Sequence, residues 1–302
     1  VAAVYLDMDP GHDDALAMLV ALATLEVQGV SVVAGNQTVD KTMRNARRIL
    51  TAANRPDIPL REGASRPLFR SLVTAGSVHG TSGLDGYEFP VLDVSESAQP
   101  AVAWLREQMQ GSLQAVTWIA TGPLTNVASF ILGHPDLVKN IGLLAIMGGA
   151  LRGGNITPCA EFNFYVDPDA ANIVLTSGIP IRLVGLDVTH KALLSQDGIQ
   201  RFRRLPGMVG EMLYGLFTFF AAHEPDANAQ GVPIHDVLAV AAAEHPEFFT
   251  WLMVPVTVER CDGQCRGQVQ QRSEGPLVAV ATDIDTAKFF DWMWTALERY
   301  YR

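Results

Sequence analysis

Cysteine is scarce: 302 residues hold three, Cys159, Cys261 and Cys265. An odd count without a paired CxxC motif excludes a disulfide framework and a zinc knuckle, and it fits free thiols in a reducing compartment. A bridge across Cys261 and Cys265 is the less economical reading of "CDGQC" than a turn carrying two thiols. Positive charge is also in short supply, with 22 Lys and Arg against 32 Asp and Glu and a formal net charge of −10. That balance excludes the basic stripe a nucleic-acid partner needs. The densest basic stretch, "KTMRNARRIL" from Lys41, has helical spacing and reads as a solvated helix face. No apolar run approaches the roughly 20 residues of a membrane span. No leader-like stretch precedes the first apolar run, so the expected location is cytoplasmic, with neither membrane nor nucleic acid as partner. Repeats and low-complexity linkers are missing too, and the expectation is a single domain over residues 1–302.

What is present is an apolar, enzyme-like chain, 48% hydrophobic and 18% charged, long enough to bury a substantial core. Short β-branched runs, "VAAVYLDMD" (1–9), "GVSVVAG" (29–35), "AVTWIAT" (115–121), "GLLAIMGG" (142–149) and "IRLVGLDV" (181–188), alternate with stretches whose apolar residues recur every three or four positions. The alternation predicts an α/β fold: an open, mostly parallel sheet with helices on both faces and right-handed crossovers, a Rossmann-like core. Residues 190 to 235 read as mainly helical, followed by strands at "MVPVTVER" and "LVAVATDI" and a terminal helix. Segment 61–98 has no clear period and is long enough to be a functional loop region.

One stretch resists this bland reading. "DMDPGHDD" puts four carboxylates, Asp7, Asp9, Asp13 and Asp14, at the end of the first strand and the start of the first helix. In an open parallel sheet, ligands bind beyond the carboxyl ends of the strands. Asp7 and Asp9, two apart, are expected on one face, and Asp13 and Asp14 in the first helical turn. Capping by Asp13 would account for one acid, not four. Converging carboxylates are costly unless a cation neutralises them, and oxygen ligands suit a hard divalent ion. "GGNITPCAEFNFYVDP" reads as a polar-lined loop, with Glu161 and Asn163 facing one ligand from an extended piece.

Phosphatases of the haloacid dehalogenase type also begin with a DxD strand, but they want Thr or Val where this chain has Gly11. The string instead closely resembles the signature of the nucleoside hydrolases, the inosine–uridine preferring family. Further blocks follow in that family's order: "VVAGNQT", "VHGTSGL", "ATGPLTNVA", "IMGGALRGGNITPCAEFNFYVDPDAA", "VGLDVTH" and "PIHDVLAVA". The resemblance implies the nucleoside hydrolase fold and a calcium-dependent ribonucleoside hydrolase, a homo-oligomer releasing base and ribose from purine or pyrimidine ribonucleosides. It implies Ca2+ ligation by Asp9, Asp14, the carbonyl of Thr121 and Asp236, with Asp9 as general base and Asp7 in support. Asp236 also stands where it could cap "DVLAVAAAEH". The ribose falls to Asp13, Asn36, Asn155, Glu161 and Asn163. His235 is the candidate for protonating the leaving base, His79 a second candidate for the pocket, and Met147 and Phe162 its walls. Phe219 and His223 are weaker candidates for the base pocket, and His12, His134, His190 and His245 read as structural or solvent-facing. Two other readings stay open at this stage: a magnesium phosphohydrolase with Asp7 as nucleophile, and a non-catalytic nucleoside or ribose sensor.

Overall fold

The computed structural model describes residues 3–91, 99–112 and 114–301. Positions 1 and 2 of the first expected strand and 92–98 of the expected loop region lie outside that set. Strands occupy Val4–Met8 (β1), Val27–Val32 (β2), Leu60–Glu62 (β3), Val116–Ala120 (β4), Ile141–Met147 (β5), Ile181–Val184 (β6), Leu193–Leu194 (β7), Val232–Pro233 (β8), Phe249–Val258 (β9), Val269–Gln271 (β10) and Leu277–Ile284 (β11). Helices occupy His12–Thr24 (α1), Val39–Ala52 (α2), Gly76–His79 (α3), Ala101–Gly111 (α4), Thr125–Gly133 (α5), Phe162–Val166 (α6), Pro168–Leu175 (α7), Leu186–Thr189 (α8), Gln196–Phe202 (α9), Gly207–His223 (α10), Val237–Glu244 (α11) and Thr286–Leu297 (α12).

Among the described residues, nine strands form one sheet in the order β10-β9-β11-β6-β5-β4-β1-β2-β3. The run from β11 to β3 is parallel throughout, and β9 and β10 close the other edge antiparallel. Strands buried on both faces need no alternation, which is why β1 reads as a nearly continuous apolar run. One core packs α1, α2, α10, α11 and α12 on one side of the sheet, with Leu16, Leu19, Ile49, Phe217, Leu238 and Phe289 among its members. A second core, around Trp104, Trp118, Phe130 and Val174, packs α4, α5 and α7 on the other side. Every residue of α1 from His12 to Ala21 is buried, which suits a helix that is apolar nearly all round. The basic stretch from Lys41 lies in α2, which turns Met43, Ala46, Ile49 and Leu50 inward.

Two expectations shift in detail. "IRLVGLDV" is strand only to Val184; Gly185 ends it, and "LDVT" turns into α8. The stretch 190–235 is helical in α9 and α10, but it also contributes the small antiparallel pair β7–β8. All three cysteines are free thiols, and Cys159 lies against the carbonyl of Gln264 at 3.4 Å instead of any bridge forming across Cys261 and Cys265.

Candidate active site

The chain moves from β1 to β2 and β3 on one side and to β4, β5 and β6 on the other, so the sheet order reverses between β1 and β4. Crevices at such switch points, outside the carboxyl ends of the strands, are where open α/β sheets bind ligands. Asp9 follows β1 and Thr121 follows β4, and the Thr121 N–H donates to the Asp7 carbonyl at 2.9 Å, locking the two strand ends together.

The four aspartates of the opening cluster do different work. Asp7 is wholly buried between strands; Ser31 Oγ and Asn126 Nδ2 (2.8 Å) donate to its carboxylate, and burial pushes it up to about 7. With its Oδ1 taken up by those two donors, it supports β1. The spacing of two does not give Asp7 and Asp9 a common partner, because the strand ends at Met8 and the chain turns at Pro10. Asp9 accepts the Asn36 N–H at 2.6 Å through Oδ2, while its Oδ1 is buried with no partner. Gly35 and Gly122 both crowd this carboxylate, and a Cβ on either would collide with it.

Asp14, not Asp13, caps the helix, accepting the Gly11 N–H at 2.9 Å; it also takes Thr121 Oγ1 at 2.7 Å and Asn36 Nδ2 at 3.2 Å. Asp236 occupies the N-cap position of α11, yet its side chain makes no capping bond. It meets Asp13 and Asp14 carboxyl to carboxyl, and oxygens of these three acids lie within 4.8 Å of one another. Burial, then the neighbouring acids, holds Asp9 and Asp236 well above the usual carboxylate range, and Asp13 is raised for the same reasons. An orphaned buried oxygen and an all-oxygen donor set of like charges fit a hard divalent cation. The Thr121 carbonyl, the remaining expected ligand, accepts Asn163 Nδ2 at 2.8 Å and keeps a second lone pair.

A cavity of about 190 Å³ opens above these acids. Its lining brings together Asp13, Asn36, His79, Thr121, Met147, Asn155, Glu161, Phe162, Asn163, His235 and Asp236, drawn from widely separated parts of the chain. The loop differs from the extended piece expected. Glu161 is the N-cap of α6, accepting the N–H groups of Asn163 (2.8 Å) and Phe164 (3.1 Å) and of Gly149 (2.8 Å). Burial nonetheless pushes Glu161 up to about 7. Asn163, inside the helix, reaches the carbonyls of Thr121 and Met147, and Asn155 Oδ1 secures the Phe162 N–H at 2.9 Å.

The two cavity histidines are anchored from behind. His12, buried and structural, bonds the Asp85 carbonyl through Nε2 at 2.8 Å and His79 Nδ1 through Nδ1 at 3.0 Å. A neutral His12 must donate to that carbonyl through Nε2, and its backbone N–H also lies 3.4 Å from His79 Nδ1. Burial holds His79 well below the usual range and His235 down at about 3, with His190 adding to the latter. His235 Nδ1 meets Thr189 Oγ1 at 2.8 Å, a partner that no local pattern flagged.

The weaker pair, Phe219 and His223, does not line the cavity. They stack on each other 4.0 Å apart on the flank of α10, and the cavity is lined by Phe220 and Glu224 instead. Phe220 and Glu224 stand one residue further along, about 100° around the helix. Thr74, Ala75, Ser77 and Val78, from within the aperiodic segment, also line the cavity unannounced, as do Ile156 and Pro225.

Carboxylates short of donors, gathered where a parallel sheet divides and opening on a polar cavity, define an α/β enzyme built around a centre fit for a hard cation. The profile of the inosine–uridine preferring nucleoside hydrolases matches residues 4–291. The pyrimidine-specific ribonucleoside hydrolase RihA of Salmonella schwarzengrund is 42% identical over 312 residues, covering 98% of each chain. Among solved structures, the purine-preferring ribonucleoside hydrolase from Gardnerella vaginalis superposes with a TM-score of 0.93 at 28% identity, covering 99% of this chain and 98% of that one. The plant nucleoside hydrolase PpNRh1 gives 0.92 at 31% identity, covering 98% of both. The chain belongs to the inosine–uridine preferring nucleoside hydrolase family, and it is an enzyme that hydrolyses the N-glycosidic bond of ribonucleosides.

Proposed function

We propose that the enzyme acts on pyrimidine ribonucleosides and works with calcium held by Asp9, Asp14, the Thr121 carbonyl and Asp236. The partnerless Asp9 Oδ1 amid buried, mutually repelling acids is the observation that carries the cation site. The base preference draws support from the 42% identity to a pyrimidine-specific relative. Exposed Met253 and Leu277, on one face of the adjoining strands β9 and β11, support a homo-oligomer.

Calcium, when bound, supplies the positive charge that balances the acids and polarises water and the ribose hydroxyls. Asp9, beside the cation site, takes the proton of the attacking water. Asp13 and Asn36 receive the ribose on the cluster side, Asn155 and Glu161 near the 5′-hydroxyl, and Asn163 near the 3′-hydroxyl. This ring of acceptors favours the positive charge that develops on an oxocarbenium-like sugar. With Nδ1 tied to Thr189 Oγ1, His235 offers Nε2 to the departing base. Met147 and Phe162 wall the cavity.

Ribose release from uridine, cytidine, inosine, adenosine and guanosine tests the reading, with 2′-deoxyuridine as control. Both pyrimidines should be turned over in preference to the purines, and 2′-deoxyuridine at least about a hundredfold less well, since its loss leaves the site's polar groups unpaired. Equal kcat/KM for uridine and 2′-deoxyuridine would remove the ribose assignment.

A further inference from the structure

The cavity's polar groups divide by origin. Those expected to hold the ribose come from the start of α1, just past the end of β2, and the loop before α6 with its first turn; His79, His235 and Glu224 line the cavity together with the apolar Val78, Phe220 and Pro225. Apolar walls with a few polar atoms between them are what a flat heteroaromatic base requires, faces against the walls and edge toward the polar atoms. Two of those three groups are the histidines already discussed, which leaves one without a role.

Glu224 is built into place. It follows the last turn of α10, its own N–H donating to the Phe220 carbonyl at 2.8 Å. Its Oε1 accepts the Asp226 N–H at 3.2 Å, and the Asp226 carboxylate is in turn held by His190 Nε2 at 3.0 Å. That clamp fixes the turn and leaves Glu224 Oε2 with no protein partner among the described residues. The Glu224 charge is also felt at Asp13, which places the carboxylate toward the ribose cluster.

Building on the ribonucleoside reading above, we propose that Glu224 reads the edge of the base, accepting a hydrogen bond from an exocyclic amino group and thereby favouring cytidine over uridine. An ionised carboxylate only accepts, and carboxylates pair with the cytosine N4 amino group. Uracil presents a carbonyl oxygen at that position, so acceptor faces acceptor and neither finds a partner. Asp226 and His190 are positioning residues for this contact.

The test is kcat/KM for cytidine and for uridine with the calcium-loaded enzyme. Burial pushes Glu224 up to about 7, so pH 8 presents the ionised form. The native enzyme should favour cytidine by about tenfold or more, a typical discrimination for one good base-edge contact. Glu224→Gln, whose amide can turn a donor toward the uracil oxygen, should cut the cytidine-to-uridine ratio by roughly the same factor. Asp226→Ala, which frees the turn, should lower the ratio in the same direction and serves if Glu224→Gln fails to fold. A native ratio at or below one, or a ratio unmoved in a folded Glu224→Gln, overturns the proposal. Turnover of purine nucleosides alone overturns the pyrimidine reading, and the adenosine-to-inosine ratio then puts the same amino-against-keto question to Glu224. Hydrolysis of no ribonucleoside overturns both.

Discussion

Asp167 and Asp9 are both fully buried carboxylates, and their surroundings differ in one respect. Asp167, at the N-terminus of α7, accepts the Leu68 N–H at 2.9 Å, Thr125 Oγ1 at 2.7 Å and the Ala170 N–H at 3.0 Å. Nearby Asp169 is paired with Arg70. The Asp9 carboxylate accepts one backbone N–H, keeps an orphaned oxygen, and feels Asp14 and Asp13 as uncompensated like charges. Burial raises both carboxyls, but at Asp167 the protein's own donors oppose the shift, whereas at Asp9 neighbouring charges add to it. Counting acids does not identify a cation site; counting the donors left for them does.

The sharpest way to break this contrast is to neutralise each acid in turn. Asp9→Asn should lower kcat by about 10²–10⁴, the usual worth of a general base, with a smaller effect on folding. Asp167→Asn should leave kcat/KM near normal and cost about 1–3 kcal/mol of stability, because an amide N–H would face a backbone N–H. Near-normal turnover by Asp9→Asn would withdraw its role as base.

Removing the cation tests the same contrast through stability as well as turnover. Chelation should abolish ribose release and lower Tm, calcium should restore both, and magnesium should restore less, since it demands a stricter octahedron. A ligand at a hundredfold excess over Kd stabilises the native state by about 2.7 kcal/mol, which sets the scale of the shift. Asp14→Ala should shrink that shift, while Asp167→Asn should keep it in full on a lower baseline. A Tm indifferent to calcium in demonstrably metal-free protein would erase the distinction between the two regions.

An intermediate case is Glu161, which has three backbone donors yet is still pushed from 4.5 up to about 7. Since the folded state holds this proton more tightly than the unfolded chain, its contribution to stability is complete below about pH 4.5 and is lost as pH rises through 7. Glu161→Gln should flatten that part of the stability profile by at most about 3 kcal/mol, read as the difference between the two proteins at matched calcium. Parallel profiles from pH 4.5 to 7.5 would show that burial does not hold the proton there.

Much of this was legible before any coordinates. Periodicity is carried by neighbours in the chain, so apolar runs located β1, β4 and β5 to within a few residues. The cluster "DMDPGHDD" announced itself because acids at the end of a core strand have no local explanation. The resemblance then named cavity residues, such as Asn155, whose own neighbourhood says only turn. Tertiary structure alone decided which acids have donors: Asp7 meets Ser31 and Asn126, partners 24 and 119 positions away, while Asp9 Oδ1 meets none. It also decided the phase of α10, turning Phe220 and Glu224 rather than Phe219 and His223 into the cavity, and it set Thr189 behind His235 and His12 behind His79. A sequence specifies local conformation through adjacent residues, but a donor's partner and a helix's rotation follow from packing against elements far along the chain, and no local period records them.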